Sequence, residues 1–246
     1  MDSPGYIILS RMSAQLRGQN LTAHNLANAD TPGYRATRPI FAEHPALQRE
    51  TSRIPGAREV NYPWDRASWR DETAGPITRT GNPLDVAISG DGYFAVDTPR
   101  GERFTRAGRF TIGADGRLVD QGGNPVLNPS GNPIAISPGD TRIDIRGDGS
   151  IHSENGEIGR LRLVRFVNNQ TLLSEGDRLF NADGQEAQPI ERPAVVQGAV
   201  EGSNVQSVIE LTRMMAELRE FQLATQFAER EGDRLQTSVE RILRKR

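Results

Sequence analysis

The chain has 246 residues and a formal net charge of −2, from 30 basic and 32 acidic residues. This length allows one large domain or two modest ones, and the near-neutral charge argues against nucleic acid as a partner. There are no cysteines, which excludes disulfides and thiolate chemistry. No stretch is long enough to cross a bilayer, and residues 1–20 lack a secretory signal core and cleavage site. We therefore expect no membrane span and no cleaved signal peptide.

Residues 1–30 carry an apolar repeat with alternating spacings of three and four. Its members are Leu9, Met12, Leu16, Gln19, Ala23 and Leu26. This is the a/d spacing of a helix with a narrow apolar seam. Such a helix gains little stability alone and needs a packing partner.

Residues 31–81 have neither helical nor strand periodicity. The segment is polar, has five prolines by residue 63, and contains both tryptophans, Trp64 and Trp69. It is too long for an ordinary connection, so we predict an extended polar arm. Two interpretations of the tryptophans stay open: contact with a partner molecule, or packing back onto the β-domain that follows.

Residues 82–200 switch to a period of two. Short alternating runs occur at residues 84–88, 141–145 and 160–163, separated by Asp-Gly and Asn-Gly pairs. These pairs supply the positive φ that tight turns require. The pattern predicts a mostly antiparallel, all-β domain.

Residues 201–246 return to the helical pattern over more than four heptads. The seam consists of Leu211, Met214, Leu218, Phe221, Thr225, Ala228, Gly232, Leu235, Val239 and Ile242. The predicted fold class is therefore α+β, with two terminal helices that pair as a coiled coil around a central β-domain. An ordinary helical hairpin within one chain is the alternative at this point.

The sequence provides no set of residues for catalysis or ligand binding. Residues 90–95 match a loose dinucleotide-binding pattern, but strand-like residues follow where that site needs a helix, so a hairpin turn is favoured. The three histidines, His24, His44 and His152, are not at metal-ligand spacing. We expect a protein that is not an enzyme, with no cofactor and no metal site.

Three sequence blocks resemble those of bacterial flagellar rod and hook proteins. The first lies within residues 24–35, and its matching residues are Asn25, Leu26, Ala27, Asn28, Thr31, Gly33, Tyr34 and Arg35. The second spans residues 81–94, and the third spans residues 201–205 and includes Ser203, Asn204 and Val205. His24 departs from the family pattern, which has asparagine there. The closing block is most like that of proximal-rod members, with the distal-rod members as the alternative.

The resemblance implies a structural subunit of the flagellar basal body. Family members form a helical tube from their terminal helices, with the β-rich domain facing outward. Their partners are other copies and other rod subunits, and they are exported by the flagellar type III apparatus without a cleaved signal. A discrete coiled-coil dimer that acts as a soluble binding module is the remaining alternative, and an enzyme on a β-scaffold is disfavoured.

The resemblance also suggests roles for individual residues. We expect one set of helix residues to pack on another, namely Leu211, Met214, Leu218, Phe221, Leu235, Val239 and Ile242 against Leu9, Met12, Leu16 and Leu26. Asn25 and Asn28 are expected to hydrogen-bond between helices or to cap a helix end. Thr31, Pro32 and Gly33 are expected to end the first helix, after which Tyr34 anchors the arm.

Overall fold

Two long helices and a set of short strands make up the computed structural model, which describes residues 3–46 and 60–244. Its side chains are described throughout these ranges except at residues 3, 4, 6, 41–46, 60–66, 238 and 242. Helix α1 spans Ser3–Ala27 and helix α2 spans Ser207–Leu243. The mixed α+β class predicted from the sequence is confirmed.

The described residues form seventeen strands and one short 3-10 helix, Asn169–Thr171. The strands are β1 (Thr37–Ala46), β2 (Val60–Arg70), β3 (Ile77–Arg79), β4 (Val86–Ile88), β5 (Tyr93–Thr98), β6 (Gly101–Thr105), β7 (Thr111–Ile112), β8 (Leu118–Val119), β9 (Ile143–Ile145), β10 (Ser150–Ser153), β11 (Gly156–Arg160), β12 (Leu163–Arg165), β13 (Leu173–Gly176), β14 (Leu179–Asn181), β15 (Gln188–Pro189), β16 (Val195–Gln197) and β17 (Ala199–Glu201). All pairings among these strands are antiparallel.

A two-stranded hairpin occupies part of the segment that was predicted to be an extended arm. Strands β1 and β2 pair antiparallel, with a register shift between Ile40 and Phe41. Prolines normally argue against a strand, so these two strands were not predicted. They tolerate proline because a two-stranded hairpin consists only of edge strands. Residues 47–59 of the predicted arm and the side chain of Trp64 lie outside the described residues, whereas Trp69 lies in β2 and is 42% exposed.

The chain divides into two compact units whose limits differ from the predicted boundaries. The first, here called the helical unit, contains α1, the β1–β2 hairpin and α2. The second, the β unit, comprises residues 28–36 and 72–205. The sequence boundaries at 31, 82 and 201 mark changes in residue pattern, so they do not show that the hairpin belongs with the helices.

The β unit is built around a six-stranded sheet with the order β13-β14-β6-β5-β12-β15. Strand β5 is buried on both faces: Phe94 and Val96 belong to one apolar cluster, and Tyr93 and Ala95 belong to another. A continuous apolar run is typical of a strand covered on both sides. Two cores on opposite faces of one sheet therefore stabilise the β unit.

Residues 90–92 form a turn that leads into β5, where a dinucleotide site would require a helix. The preceding strand β4 pairs with β16, and β5 pairs with β6 and β12. The sequence predicted a hairpin turn at these residues. The strands on the two sides of the turn belong to different sheets, so it is not a hairpin turn.

Candidate assembly sites

Asn25 links α1 to strand β1 inside the helical unit. Its side chain is 1% exposed, its Nδ2 donates to the Thr37 carbonyl at 2.9 Å, and its Oδ1 accepts from the Thr37 amide at 2.9 Å. Asparagine can satisfy one residue's donor and acceptor together because its amide carries both groups. These two bonds fasten the hairpin to the helix, a role that the sequence did not predict.

Polar side chains also connect α1 with α2. Gln19 Nε2 donates to the Glu217 carbonyl at 3.3 Å, and Thr22 Oγ1 donates to Glu217 Oε1 at 3.2 Å. Gln15 Nε2 donates to Glu220 Oε2 at 3.3 Å. Gln19, the polar position in the predicted seam, therefore does face the other helix.

A buried ion pair fastens the hairpin to the beginning of α2. The Glu210 side chain is 1% exposed and lies 2.7 Å from Arg38 NH1 of β1, while Arg213 reaches it at 3.3 Å. Sequence reasoning missed this pair, because an acidic residue in the first turn of a helix is common at exposed positions as well.

Much of the predicted apolar seam is exposed in the single chain. The exposed fractions are 63% for Leu9, 52% for Leu16, 49% for Leu211, 45% for Leu218, 37% for Leu235 and 55% for Val239. The half-buried members are Met12, Gln19, Leu26, Met214, Phe221, Thr225 and Ala228. The side chain of Ile242 lies outside the described residues. Packing of this seam into a coiled coil thus stays a prediction.

An apolar groove lies beside the seam, also within the helical unit. It has a volume of about 410 Å³ and is lined by Ile7, Ile8, Arg11, Glu220, Leu223, Ala224 and Phe227. Leu223 is 65% exposed and Phe227 is 59% exposed. Exposed apolar residues in such numbers are typical of a surface that is covered by another molecule.

The helix surface described above is one candidate assembly site. The β unit contains a second one, which begins where the chain leaves α1. The helix ends at Ala27, and the Thr31 amide then donates to the Asn28 carbonyl at 3.1 Å. Thr31 Oγ1 donates to Asn28 Oδ1 at 3.1 Å, and the Tyr34 amide donates to the Thr31 carbonyl at 3.2 Å. The prediction that Thr31, Pro32 and Gly33 end the helix is therefore wrong. Helix α1 ends earlier, at Ala27, and Asn28 belongs to the turn that follows it.

Gly33 fills a position that requires glycine for two reasons. Its φ of +71° lies in the left-handed region. A Cβ atom there would lie 2.7 Å from the Arg106 carbonyl carbon. The Gly33 amide donates to the Glu201 carbonyl at 2.9 Å, so this close approach joins the first sequence block to the third.

Asn204 completes the connection between these two blocks. Its Oδ1 accepts from the Ala36 amide at 2.8 Å, its backbone amide donates to the Tyr34 carbonyl at 3.3 Å, and its Nδ2 donates to the Thr73 carbonyl at 3.0 Å. Next to it, Ser203 Oγ accepts from the Val205 amide at 3.1 Å, in the turn just before α2. Residues about 170 positions apart in sequence therefore form one junction.

A buried arginine forms the centre of this junction. The side chains of Arg106 and Glu201 are 1% and 2% exposed, and Arg106 Nε donates to Glu201 Oε2. Arg106 also donates to the carbonyls of Gly92, at 2.6 Å, and Gly90, at 2.5 Å. Glu201 Oε1 accepts from the Gly75 amide at 3.2 Å. A buried charge pair is tolerated only when its remaining groups are also bonded, and here they are.

The described residues hold no group of three or more metal-ligating acidic, histidine or cysteine side chains. Within those same ranges, neither helix has the length and hydropathy needed to cross a membrane. What the geometry provides is a firmly bonded junction in one unit and exposed apolar helix surface in the other. These are features of a structural protein that assembles with other chains.

Three families match successive parts of the chain. Residues 6–35 match the flagella basal body rod protein family, residues 87–153 the flagellar hook protein FlgE/F/G D1 domain, and residues 196–241 the flagellar basal body rod FlgEFG protein C-terminal family. The first match contains Gly33 and Tyr34 and the third contains Glu201 and Asn204, which meet at the junction in the β unit. Arg106, at the centre of this junction, lies in the second match.

Similar proteins match this chain over most or nearly all of its length. The flagellar basal-body rod protein FlgF of Caulobacter vibrioides is 34% identical over 243 residues, which is 98% of both chains. FlgF of Salmonella typhimurium is 35% identical over 91% of both chains, and FlgG of Buchnera aphidicola (strain APS) is 30% identical over 89% of this chain and 91% of its own. The chain belongs to the family of flagellar basal-body rod proteins. Like these relatives, it is a structural protein and not an enzyme.

Proposed function

We propose that the chain is a structural subunit of the proximal part of the flagellar rod, which assembles through the helical unit with its own copies and with other rod subunits. The observation that carries this proposal is the exposed apolar surface of α1 and α2 in a member of the rod family. Leu9 and Leu218 lie on that surface, and both are about half exposed or more.

The geometry of assembly follows from the nature of the surface. An isolated helix pair with a narrow seam gains little burial, so additional burial must come from neighbouring chains. A contact between two different surfaces of the same chain forms a helical filament when its rotation does not close into a ring. We therefore propose that α1 and α2 pack as a coiled-coil layer of a tube, with the seam residues buried against each other and against neighbours.

The similarity pattern supports a proximal position. FlgF relatives are 32–35% identical to this chain, whereas the FlgG relatives are 28–30% identical. The block at residues 201–205 points the same way. A position in the distal rod is the alternative.

The location and route of the subunit complete the proposal. A rod subunit resides in the flagellar basal body, and we propose that this chain reaches it through the flagellar type III export apparatus, without a cleaved signal peptide. The near-neutral net charge supports the absence of a nucleic-acid partner.

Replacing Leu218 with aspartate tests the helix surface. Leu218 is 45% exposed in the single chain, so Leu218→Asp should leave the isolated subunit folded. A charge buried between assembled subunits is costly, so motility and recovery of the subunit in purified basal bodies should both fall at least about tenfold. The control is Gln222→Asp, which adds the same charge at an exposed position of α2.

Normal motility of cells that carry Leu218→Asp at normal protein levels would contradict the proposed packing role. A stable dimer of the wild-type chain that never enters basal bodies would favour the alternative, a discrete coiled-coil module.

A further inference from the structure

Two buried oxygen atoms between α1 and α2 receive no hydrogen bond in the part of the chain that the structure describes. They are Oε2 of Glu217, on α2, and Oε1 of Gln15, on α1. Buried polar atoms are almost always hydrogen-bonded, and a carboxylate oxygen without a donor is more costly than a neutral one. Two such acceptors therefore lie between the paired helices, and one of them belongs to a titratable group.

Three α1 side chains at this contact donate to other acceptors. The Thr22 hydroxyl donates to Oε1 of Glu217, and Gln19 Nε2 donates to the Glu217 backbone carbonyl. Gln15 Nε2 donates to Glu220. These α1 side chains are neutral, and they contact two carboxylates, those of Glu217 and Glu220. Of the two, only Glu217 carries one of the buried oxygens without a donor.

The surroundings of Glu217 favour its protonated form. Burial is the main factor that raises the pKa of Glu217, and the carboxylates of Glu210 and Glu220 raise it further. The Thr22 hydroxyl and Arg38 of β1 act in the opposite direction. Arg38 is the cation that faces this region from the hairpin, and it pairs with Glu210 at 2.7 Å, so it compensates Glu217 only weakly.

We propose that Glu217 is a proton-controlled joint between α1 and α2. Protonation from solvent removes a partly buried charge and turns the Glu217 carboxyl into a hydrogen-bond donor, so the helix pair is tighter with the neutral carboxyl than with the carboxylate. The significance of this joint rests on the proposed function, because these two helices are the elements that assemble into the rod. The pH would then regulate the strength of the pairing between α1 and α2 within a subunit.

The direction of the pH effect follows from linkage. A carboxyl whose pKa is higher in the folded state binds more protons there than in the unfolded chain. Its stabilising contribution is fully present below the ordinary glutamate pKa of 4.5 and is lost as the pH rises through the raised value. Helix pairing should thus weaken as the pH rises above 4.5 through the raised pKa of Glu217.

Hydrogen exchange of the full chain, analysed separately for the two helices and the β unit, tests the proposal. Between about pH 5 and about pH 7.5, after correction for intrinsic exchange, protection of the α1 and α2 amides should fall severalfold in the wild type. Glu217→Gln, which is neutral and carries an amide donor, should keep high protection at both pH values. The control Glu229→Gln removes an exposed glutamate from the same helix and should behave as the wild type does.

Equal pH dependence in the wild type and Glu217→Gln would overturn the proposal, as would helices that show no protection at either pH. Protection of the β-unit strands reports that each variant is folded. The rod proposal is tested independently, since it fails only if the wild-type chain does not enter basal bodies.

Discussion

At the residue scale, Gly33 shows how tightly the two ends of the sequence are joined. Its positive φ and its close approach to the Arg106 backbone are separate constraints. Arg106 in turn bonds Glu201, whose backbone accepts from Gly33. A change at Gly33 therefore disturbs the backbone around a buried ion pair, where small shifts leave charged groups without partners.

Replacing Gly33 with alanine should destabilise the β unit markedly. Strain from the positive φ and displacement of the Arg106 backbone together should lower its free energy of unfolding by about 3 kcal/mol. Gly123→Ala is the matched control, because Gly123 has a φ of +81° but open space around its Cβ position. It should cost about 1 kcal/mol. Urea denaturation followed by circular dichroism measures both, and equal losses would contradict the packing account.

The residues of the junction could be predicted in part from the sequence. Gly33, Tyr34 and Asn204 stood out because they lie in blocks that resemble the rod family. Their partners could not be inferred, because Arg106 lies 95 residues from Glu201 and has no motif around it. Hydrogen bonds between distant segments leave no local pattern in a single sequence.

At the element scale, the hairpin was the largest feature that the sequence did not reveal. Strand β1 contains Pro39 and Pro45, which normally argue against a strand. Both are compatible with a hairpin that pairs with no further strand among the described residues. The helices and the antiparallel β unit were predictable, because their periods of 3.5 and two extend over many residues.

Asn25 is expected to hold this hairpin to α1, and Asn25→Ala tests the attachment. Loss of both bonds to Thr37 leaves a backbone donor and an acceptor unsatisfied, which should destabilise the helical unit by about 2 kcal/mol. Exchange of the Thr37 amide should accelerate while the paired amides of β1 and β2 stay protected. Asn20→Ala, at an exposed position of the same helix, serves as the control and should change neither quantity. Unchanged exchange at Thr37 would show that the two bonds do not hold the hairpin.

At the scale of the whole molecule, the two units carry carboxyl groups whose pKa values are shifted in opposite directions from their ordinary values. In the helical unit, burial raises the pKa of Glu217. In the β unit, hydrogen bonds to the charged form lower the pKa values of Asp140, Asp148 and Glu175, chiefly from Asn155, Ser150 and Arg103 respectively. Acidification should thus strengthen one unit and weaken the other, so a single melting temperature would average two opposite trends.

Glu154 is the group in the β unit for which this trend is largest. The Thr141 amide, together with its hydroxyl and the Arg142 amide, lowers the pKa of Glu154 from 4.5 to about 2. Because its pKa is lower in the folded state, its stabilising contribution is present above 4.5 and is lost as the pH falls towards about 2. Glu154→Gln should flatten this acid loss, measured as hydrogen exchange of β9 and β10, whereas Glu157→Gln, at an exposed position of β11, should not. An acid loss of equal size in Glu154→Gln and the wild type would assign the weakening to other carboxylates.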